Sequence, residues 1–458
     1  MKNNTRRLVG LLTFPGMQRA ILCGMCSVVV TVACFAPATG LFAQEETEVG
    51  QVKPIPQTRR EMLVALEKLK QRTARLPFDP QEVDSSQPSG QLGVVFNGMM
   101  RRKYLPKEFQ NAVASRGNDP SLQLDYQFAT ELFWIVSRLN NCHYCLGHQE
   151  SKLKAAGVSE AVLANLDADW SAFTGAQTAA FEFCRKLTMA PHLIDDEDWQ
   201  RLAQHYSEKQ ILELAFLVAR YNSTNRWTDA LGIPQESQRD FSTQLEAGTL
   251  DRCSQVLSEN FTERRSWPSC QAWLEELQRR STRTPHCELP APEVVQTILR
   301  EGDMKEDLPI EQYERLLAIF PLSGGNWIKQ LRAAHQIGQL DDSLKHQIAL
   351  VAAEADSAWY MQTIARGRLL DLGFSDEQLF ALLKSVREDS PDPTGTEACL
   401  RFVYRLTVQP QSISDQDLEG LLRDYTPQQV AEIVYRTGNA AFLNRFTEVA
   451  GLSESLLK

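Results

Sequence analysis

Apolar residues recur at helical spacing through most of the chain. Leu124, Phe128, Leu132, Ile135, Val136 and Leu139 form one such face. "SEKQILELAFLVARY" opens with Ser207 and Gln210, a capping box before an apolar run. Gly157 ends "KLKAA" and Ser159 starts the next helix. "TRREMLVALEKLKQRTARL" and "SWPSCQAWLEELQRR" each predict a further helix, with Trp267 and Trp273 as packing residues. No segment shows sustained strict alternation, so the expected fold is all-α without strands.

The pattern also repeats. At an offset of 216 residues, "LKAAGVSEAVL" from Leu153 meets "LLDLGFSDEQL" from Leu369. At an offset of 219, "FCRKLTMAPHLIDDED" from Phe183 meets "FVYRLTVQPQSISDQD" from Phe402, and "NRWTDALG" meets "NRFTEVAG". Thr188/Thr407, Asn225/Asn444 and Arg226/Arg445 are identical. The period is too long for a solenoid, so two tandem helical domains are expected. The boundaries read as a leader over 1–43, an extension with one helix over 44–94, a first domain over 95–234, a linker over 235–307 and a second domain over 308–458.

The chain has 458 residues, 43% of them hydrophobic, and a formal net charge of −10. That allows substantial cores and argues against a nucleic-acid groove. Lys2, Arg6, Arg7 and Arg19 precede an apolar run from Ala20 to Ala38, and Ala43 precedes an acidic start. This reads as an export signal, with Met17 as an alternative start, and places the mature protein outside the cytoplasm. An uncleaved membrane anchor is the alternative. Cys23, Cys26 and Cys34 would leave with the signal, and of the seven remaining, Cys253, Cys270 and Cys287 are expected to supply one structural disulfide and a spare thiol.

The chemistry-bearing stretch is "SRLNNCHYCLGHQESKL", residues 137–153. Asn141 is a good N-cap, which puts Cys142 at the first helical position and Cys145 one turn on. Helix N-termini stabilise thiolates, and proximity to the positive end favours Cys142 as the attacking sulfur. His148 falls one turn further and could take a proton. Glu131, in the preceding helix, could face the pair across the Asn-Asn turn. Covalent haem needs His directly after the second cysteine, where this chain has Leu146. A zinc site would draw on Cys142, Cys145 and His148 but lacks a second ligand pair, so no metal and no cofactor is expected. A redox pair and a plain structural disulfide both remain. The second copy replaces Cys142, Cys145, His148 and Glu131 by Ala358, Met361, Ile364 and Gln347, which favours chemistry over stapling. His192, His205, His335 and His346 read as surface or cap residues. Asn225, Arg226 and Asp229 could line a site, although the retention of Asn444 and Arg445 points to packing.

"NNCHYCLGH" after an apolar helix, then "KAAGVSEAVL", resembles the alkylhydroperoxidase D / carboxymuconolactone decarboxylase family. "YNSTNRWTDALGIP" resembles the segment that closes that family's domain. The likeness covers about residues 95–234, and more weakly 310–452. It implies an all-helical fold that assembles into homo-oligomers. It also implies a peroxidase whose two motif cysteines reduce a peroxide, with Cys145 attacking, Cys142 resolving, and Glu131 and His148 supporting proton transfer. The electron donor would be a thioredoxin-like protein or another dithiol. Two departures stand out. The family histidine sits four beyond the second cysteine, where this chain has Gln149, and Glu131 is one residue closer to the pair than usual. The competing functions are thiol–disulfide exchange, and a non-catalytic extracytoplasmic scaffold with an inert disulfide.

Overall fold

The computed structural model describes residues 53–78, 95–110, 119–259, 261, 265–302, 304, 309–388 and 393–454. The expected leader with Cys23, Cys26 and Cys34 lies outside them, as does most of the polar stretch from Pro77 to Gly90. Among the described residues the fold is all-α, with a single isolated bridge between Thr58 and Cys253 and no strand. No helix among them is long and apolar enough to cross a membrane.

Helices α1 (Arg59–Lys68) and α2 (Phe96–Tyr104) come first. The first repeat is α3 (Tyr126–Leu139), α4 (His143–Ala155), α5 (Glu160–Ala168), α6 (Gly175–Met189), α7 (Asp196–Ala203) and α8 (Glu208–Ala230). The connection holds α9 (Ala247–Leu250), α10 (Cys270–Arg280), α11 (Pro292–Glu301), α12 (Gln312–Leu317) and α13 (Ser323–Gln336). The second series is α14 (Asp342–Ala355), α15 (Trp359–Asp371), α16 (Asp376–Ser385), α17 (Gly395–Val408), α18 (Asp415–Leu422) and α19 (Pro427–Val449).

Local signals in the sequence set these starts and stops, and they recur in both series. Asp125 and Asp341 cap α3 and α14, and Ser159 and Ser375 cap α5 and α16. Ser207 with Gln210, and Thr426 with Gln429, form capping boxes on α8 and α19. Each box satisfies two backbone N–H groups that the helix cannot pair itself.

The turn into α4 is a helix C-terminal motif. Asn141 is left-handed at φ 51°, as is Ser357 at φ 50° in the second series. The Cys142 N–H donates back to the Ser137 carbonyl at 2.9 Å, and the Asn141 N–H to Arg138 at 3.2 Å. Ala358 and Ser357 repeat both bonds, to Ala353 and Glu354, at 2.8 and 3.0 Å. This 6→1 and 5→2 pairing ends a helix at an αL residue, a conformation asparagine tolerates. It corrects the expected cap: because Asn141 serves the end of α3, Cys142 itself is the N-cap of α4 and His143 the first helical residue.

The two series do not stand apart as separate bodies. All described residues belong to one compact unit, and α8 lies along α19 in its most extensive helix contact. Phe216 meets Phe442 and Phe446 there, with ring centroids 5.5 and 5.6 Å apart. Gly438 lets the backbones close in, since a Cβ there would stand 3.1 Å from the Ser223 carbonyl oxygen. The contact is reciprocal. Arg226 donates to the Thr407 carbonyl at 2.8 Å, and Arg445 donates to the Thr188 carbonyl at 2.9 Å. Residues identical between the repeats thus make the same bond in both directions, as equivalent residues do across a two-fold interface.

None of the seven described cysteines is in a disulfide. The expected bridge among Cys253, Cys270 and Cys287 does not form because the three sit in different surroundings. Cys253 is exposed beside Thr58, Cys270 opens α10 near Asp376, and Cys287 is buried near Glu208.

Candidate functional site

The end of α3, the start of α4 and the last turns of α8 converge on Cys142 and Cys145. Both sulfurs approach one group: the Thr228 hydroxyl lies 3.1 Å from Cys142 Sγ and 3.1 Å from Cys145 Sγ. Both cysteines are free thiols, and Cys142 is 0% and Cys145 3% exposed. Asn225, one turn before Thr228 side by side with it on α8, also hydrogen-bonds Cys145.

The two thiols are inequivalent. Burial pushes both up, because a charged sulfur loses its water. At Cys142 burial combines with its hydrogen bond to Cys145 and that neighbour's charge to leave the pKa well above the ordinary thiol value. At Cys145 the hydrogen bonds from Cys142, Thr228 and Asn225 outweigh burial and bring it below that value. Hydrogen bonding therefore reverses the order expected from distance to the helix end: Cys145 is the sulfur held ready to ionise.

His148 and Glu131 are not where the sequence suggested they would act. The His148 Nε2 meets Glu236 Oε2 at 2.9 Å, and its Nδ1 meets Arg239 Nη2 at 2.8 Å. The guanidinium can only donate, so the ring proton sits on Nε2 and both nitrogens are committed. Burial lowers the His148 pKa despite the carboxylate beside it. Glu131 stands in the second turn of α3 and accepts from Gln127 at 3.0 Å and Gln177 at 3.5 Å. It is separated from the end of its helix by roughly 12 Å of axis at 1.5 Å per residue, and no hydrogen bond joins it to either sulfur.

Other residues surround the pair instead. Glu236, just past the closing segment, accepts from Tyr144 Oη at 2.8 Å, the Phe96 N–H at 2.9 Å and Gln235 Nε2 at 2.8 Å, besides His148. The hydrogen bond and charge of His148 first, then the bonds from the Phe96 N–H and Tyr144, overcome its burial and hold its carboxyl at about 2. Gly147 leaves room for this: a Cβ would stand 2.5 Å from Gln235 Oε1. Lys53 bonds the Asn141 carbonyl and pairs with Asp229 at 2.7 Å, tying the N-terminal segment to the turn. Asn225 and Asp229 were hinted at by "NRWTDALG", whereas Glu236 and Lys53 carry no local signal and reach the site only through tertiary packing. Among the described residues no cluster of His, Cys, Asp and Glu could hold a metal ion.

A cavity of about 280 Å³ lies beside this arrangement, lined by Thr224, Trp227 and Arg220 of α8, Arg101 of α2, and Tyr435 and Asn439 of α19. The Thr224 carbonyl accepts from the Thr228 hydroxyl at 3.1 Å, and Arg101 stacks over Trp227 at 4.8 Å. Burial lowers the Arg101 pKa, and Cys145 is near enough to oppose that.

No family model matches the chain. It is 30% identical over 101 residues to Uncharacterized protein YdfG of Bacillus subtilis (strain 168), across 21% of this chain and 68% of that protein. It is 27% identical over 105 residues to Uncharacterized protein YnjA of Escherichia coli (strain K12), across 22% of this chain and 57% of that protein. This chain therefore spans little more than half the length of the second relative, and neither name states an activity.

Proposed function

We propose that this chain, which belongs to the same family as the uncharacterized Bacillus subtilis protein YdfG, is a thiol-dependent peroxidase. The observation that carries the reading is the shared Thr228 hydroxyl with its unequal thiols, one holding its proton and one disposed to lose it. Cys145 enters as the thiolate and attacks the outer peroxide oxygen. The O–O bond breaks, Cys145 becomes a sulfenic acid, and the alkoxide takes the proton of the adjacent Cys142 thiol. The Cys142 thiolate then attacks the sulfenic sulfur, forming the Cys142–Cys145 disulfide and expelling hydroxide, which combines with the proton released when Cys145 ionised to give water. Two electrons have passed from the dithiol to the peroxide, and an external dithiol restores the pair. His148 and Glu236 act as a positioning unit behind α4 and move no proton in this scheme.

Burial of both sulfurs supports a small substrate, hydrogen peroxide or an organic hydroperoxide, and a small dithiol donor over direct docking of a thioredoxin-like protein. Placement outside the cytoplasm rests on residues 1–43 alone and is part of the proposal. The test is peroxide consumption in excess dithiol. Cys145→Ser should abolish it, and Cys142→Ser should trap a sulfenic acid on Cys145. Wild type no faster than the double variant ends the peroxidase reading. Thiol–disulfide exchange then stands if the pair is more oxidising than about −300 mV, and an inert scaffold stands if it lies well below that line.

A further inference from the structure

The second repeat has its own cavity where the first carries its cysteines. It measures about 170 Å³ and is lined by Met361, Ile364 and Arg368 of α15, the counterparts of Cys145, His148 and Lys152. Asn439 lines both this cavity and the one beside α2, so the two are neighbours across α19. The chemistry of the wall has changed from sulfur to cations. Arg332, Lys345, Arg368 and Arg436 line it against a single carboxylate, Glu311.

Each cation is held in place by a partner. Arg368 pairs with Glu311 at 2.7 Å, Arg436 with Glu432 at 2.7 Å, Lys345 with Asp342 at 2.9 Å, and Arg332 with Glu314. Of those four acids only Glu311 lines the cavity, so four cationic side chains and one carboxylate face the space. His335 and His346 lie against each other there, with ring centroids 5.6 Å apart. Burial, then mutual repulsion, then Arg368 lower His346 to about 4, so it stays neutral at pH 7 and can still hydrogen-bond. The rest of the lining is aliphatic, including Ile348, Leu331 and Leu443.

We propose that this cavity binds a small organic monoanion, a carboxylate on a compact apolar body, with the head group at Arg368 and the histidine pair and the body against Met361, Ile348 and Ile364. The size suits such a ligand, since a cavity on the order of 150 Å³ accepts benzene. A bare inorganic anion would leave the aliphatic wall unused, and a neutral isostere would leave the cationic side chains unanswered.

Benzoate is the probe, titrated calorimetrically into the full chain beside benzamide and inorganic phosphate. Benzoate should bind saturably, and the other two should bind weaker by about tenfold or more, as loss of one charge-assisted bond implies. Arg368→Gln should weaken benzoate similarly, and Met361→Trp, which fills the space, should remove it while circular dichroism stays unchanged. Arg101→Met and Cys145→Ser should leave benzoate binding intact. No saturable binding, benzamide or phosphate equal to benzoate, or loss through Arg101→Met in place of Arg368→Gln would overturn the proposal. None of these readouts depends on peroxide turnover.

Discussion

Thr228 is the residue on which the proposed chemistry turns. Its one hydroxyl proton can point to the Thr224 carbonyl or to a sulfur, so ionising Cys145 redirects a bond that already exists. Thr228→Val keeps the shape and removes the donor. Because that bond lowers the Cys145 pKa, its loss should raise the pKa, cutting peroxide consumption at neutral pH about tenfold, at ~1.4 kcal/mol for one bond, with recovery toward alkaline pH. A pH–rate profile that falls in parallel at every pH would remove Thr228 from thiolate stabilisation. Glu236 makes a different prediction. Its folded pKa is depressed to about 2 from 4.5, so its stabilisation is full above pH 4.5 and is lost as pH falls through about 2. Denaturation should show on the order of 3 kcal/mol draining away over that window, and Glu236→Gln should flatten it. The same variant should leave His148 less firmly held without abolishing turnover.

At the scale of elements, α4 is placed by what its sequence omits. Gly147 faces Gln235 and Phe241, where a Cβ would come within 2.5 and 2.8 Å. Gly147→Ala should therefore push Gln235 off Glu236 and cost about 1–3 kcal/mol in urea denaturation, an overpacking effect in spite of better helix propensity. The helices were readable from their periodicity and caps: Ser159, Ser207 and Gly157 mark boundaries that the structure keeps, and the offsets of 216 and 219 recur element by element. The cysteine turn was readable only in part, because asparagine serves both as an N-cap and as an αL terminator, and sequence alone does not rank the two. The proton partners were not readable. His148 has a helical address that suits a relay, but Arg239 and Glu236, distant in the chain, take both its nitrogens. His335 and His346, read as surface residues, face a cavity for the same reason: the elements that enclose them come from far along the chain.

For the whole molecule, the contact between α8 and α19 covers the packed faces of both helices within one chain. A homo-oligomer, as the family resemblance implies, must then assemble through other faces. The large exposed apolar residues, among them Val64, Tyr126 and Leu372, are spread over separate elements. Light scattering at micromolar concentration tests the assembly, and the mass of one chain would end it. The interior contact is tested by Arg226→Met and Arg445→Met. Arg226→Met leaves the buried Thr407 carbonyl unpaired, at about 1–3 kcal/mol. Arg445→Met should cost more, about 3–5 kcal/mol, because it strands the buried Asp356 carboxylate as well as the Thr188 carbonyl, and the double variant should lose more than either single one.

The exchanged arginine bonds also mean that neither half can finish its own hydrogen bonding alone. Joining the halves in one polypeptide adds a high effective concentration of one beside the other. A break in the backbone between residues 259 and 265 should leave the halves clasped. Two polypeptides produced together, one ending at Glu259 and one starting at Arg265, should purify as a pair, and Arg226→Met in the first should weaken their association about ten- to a hundredfold.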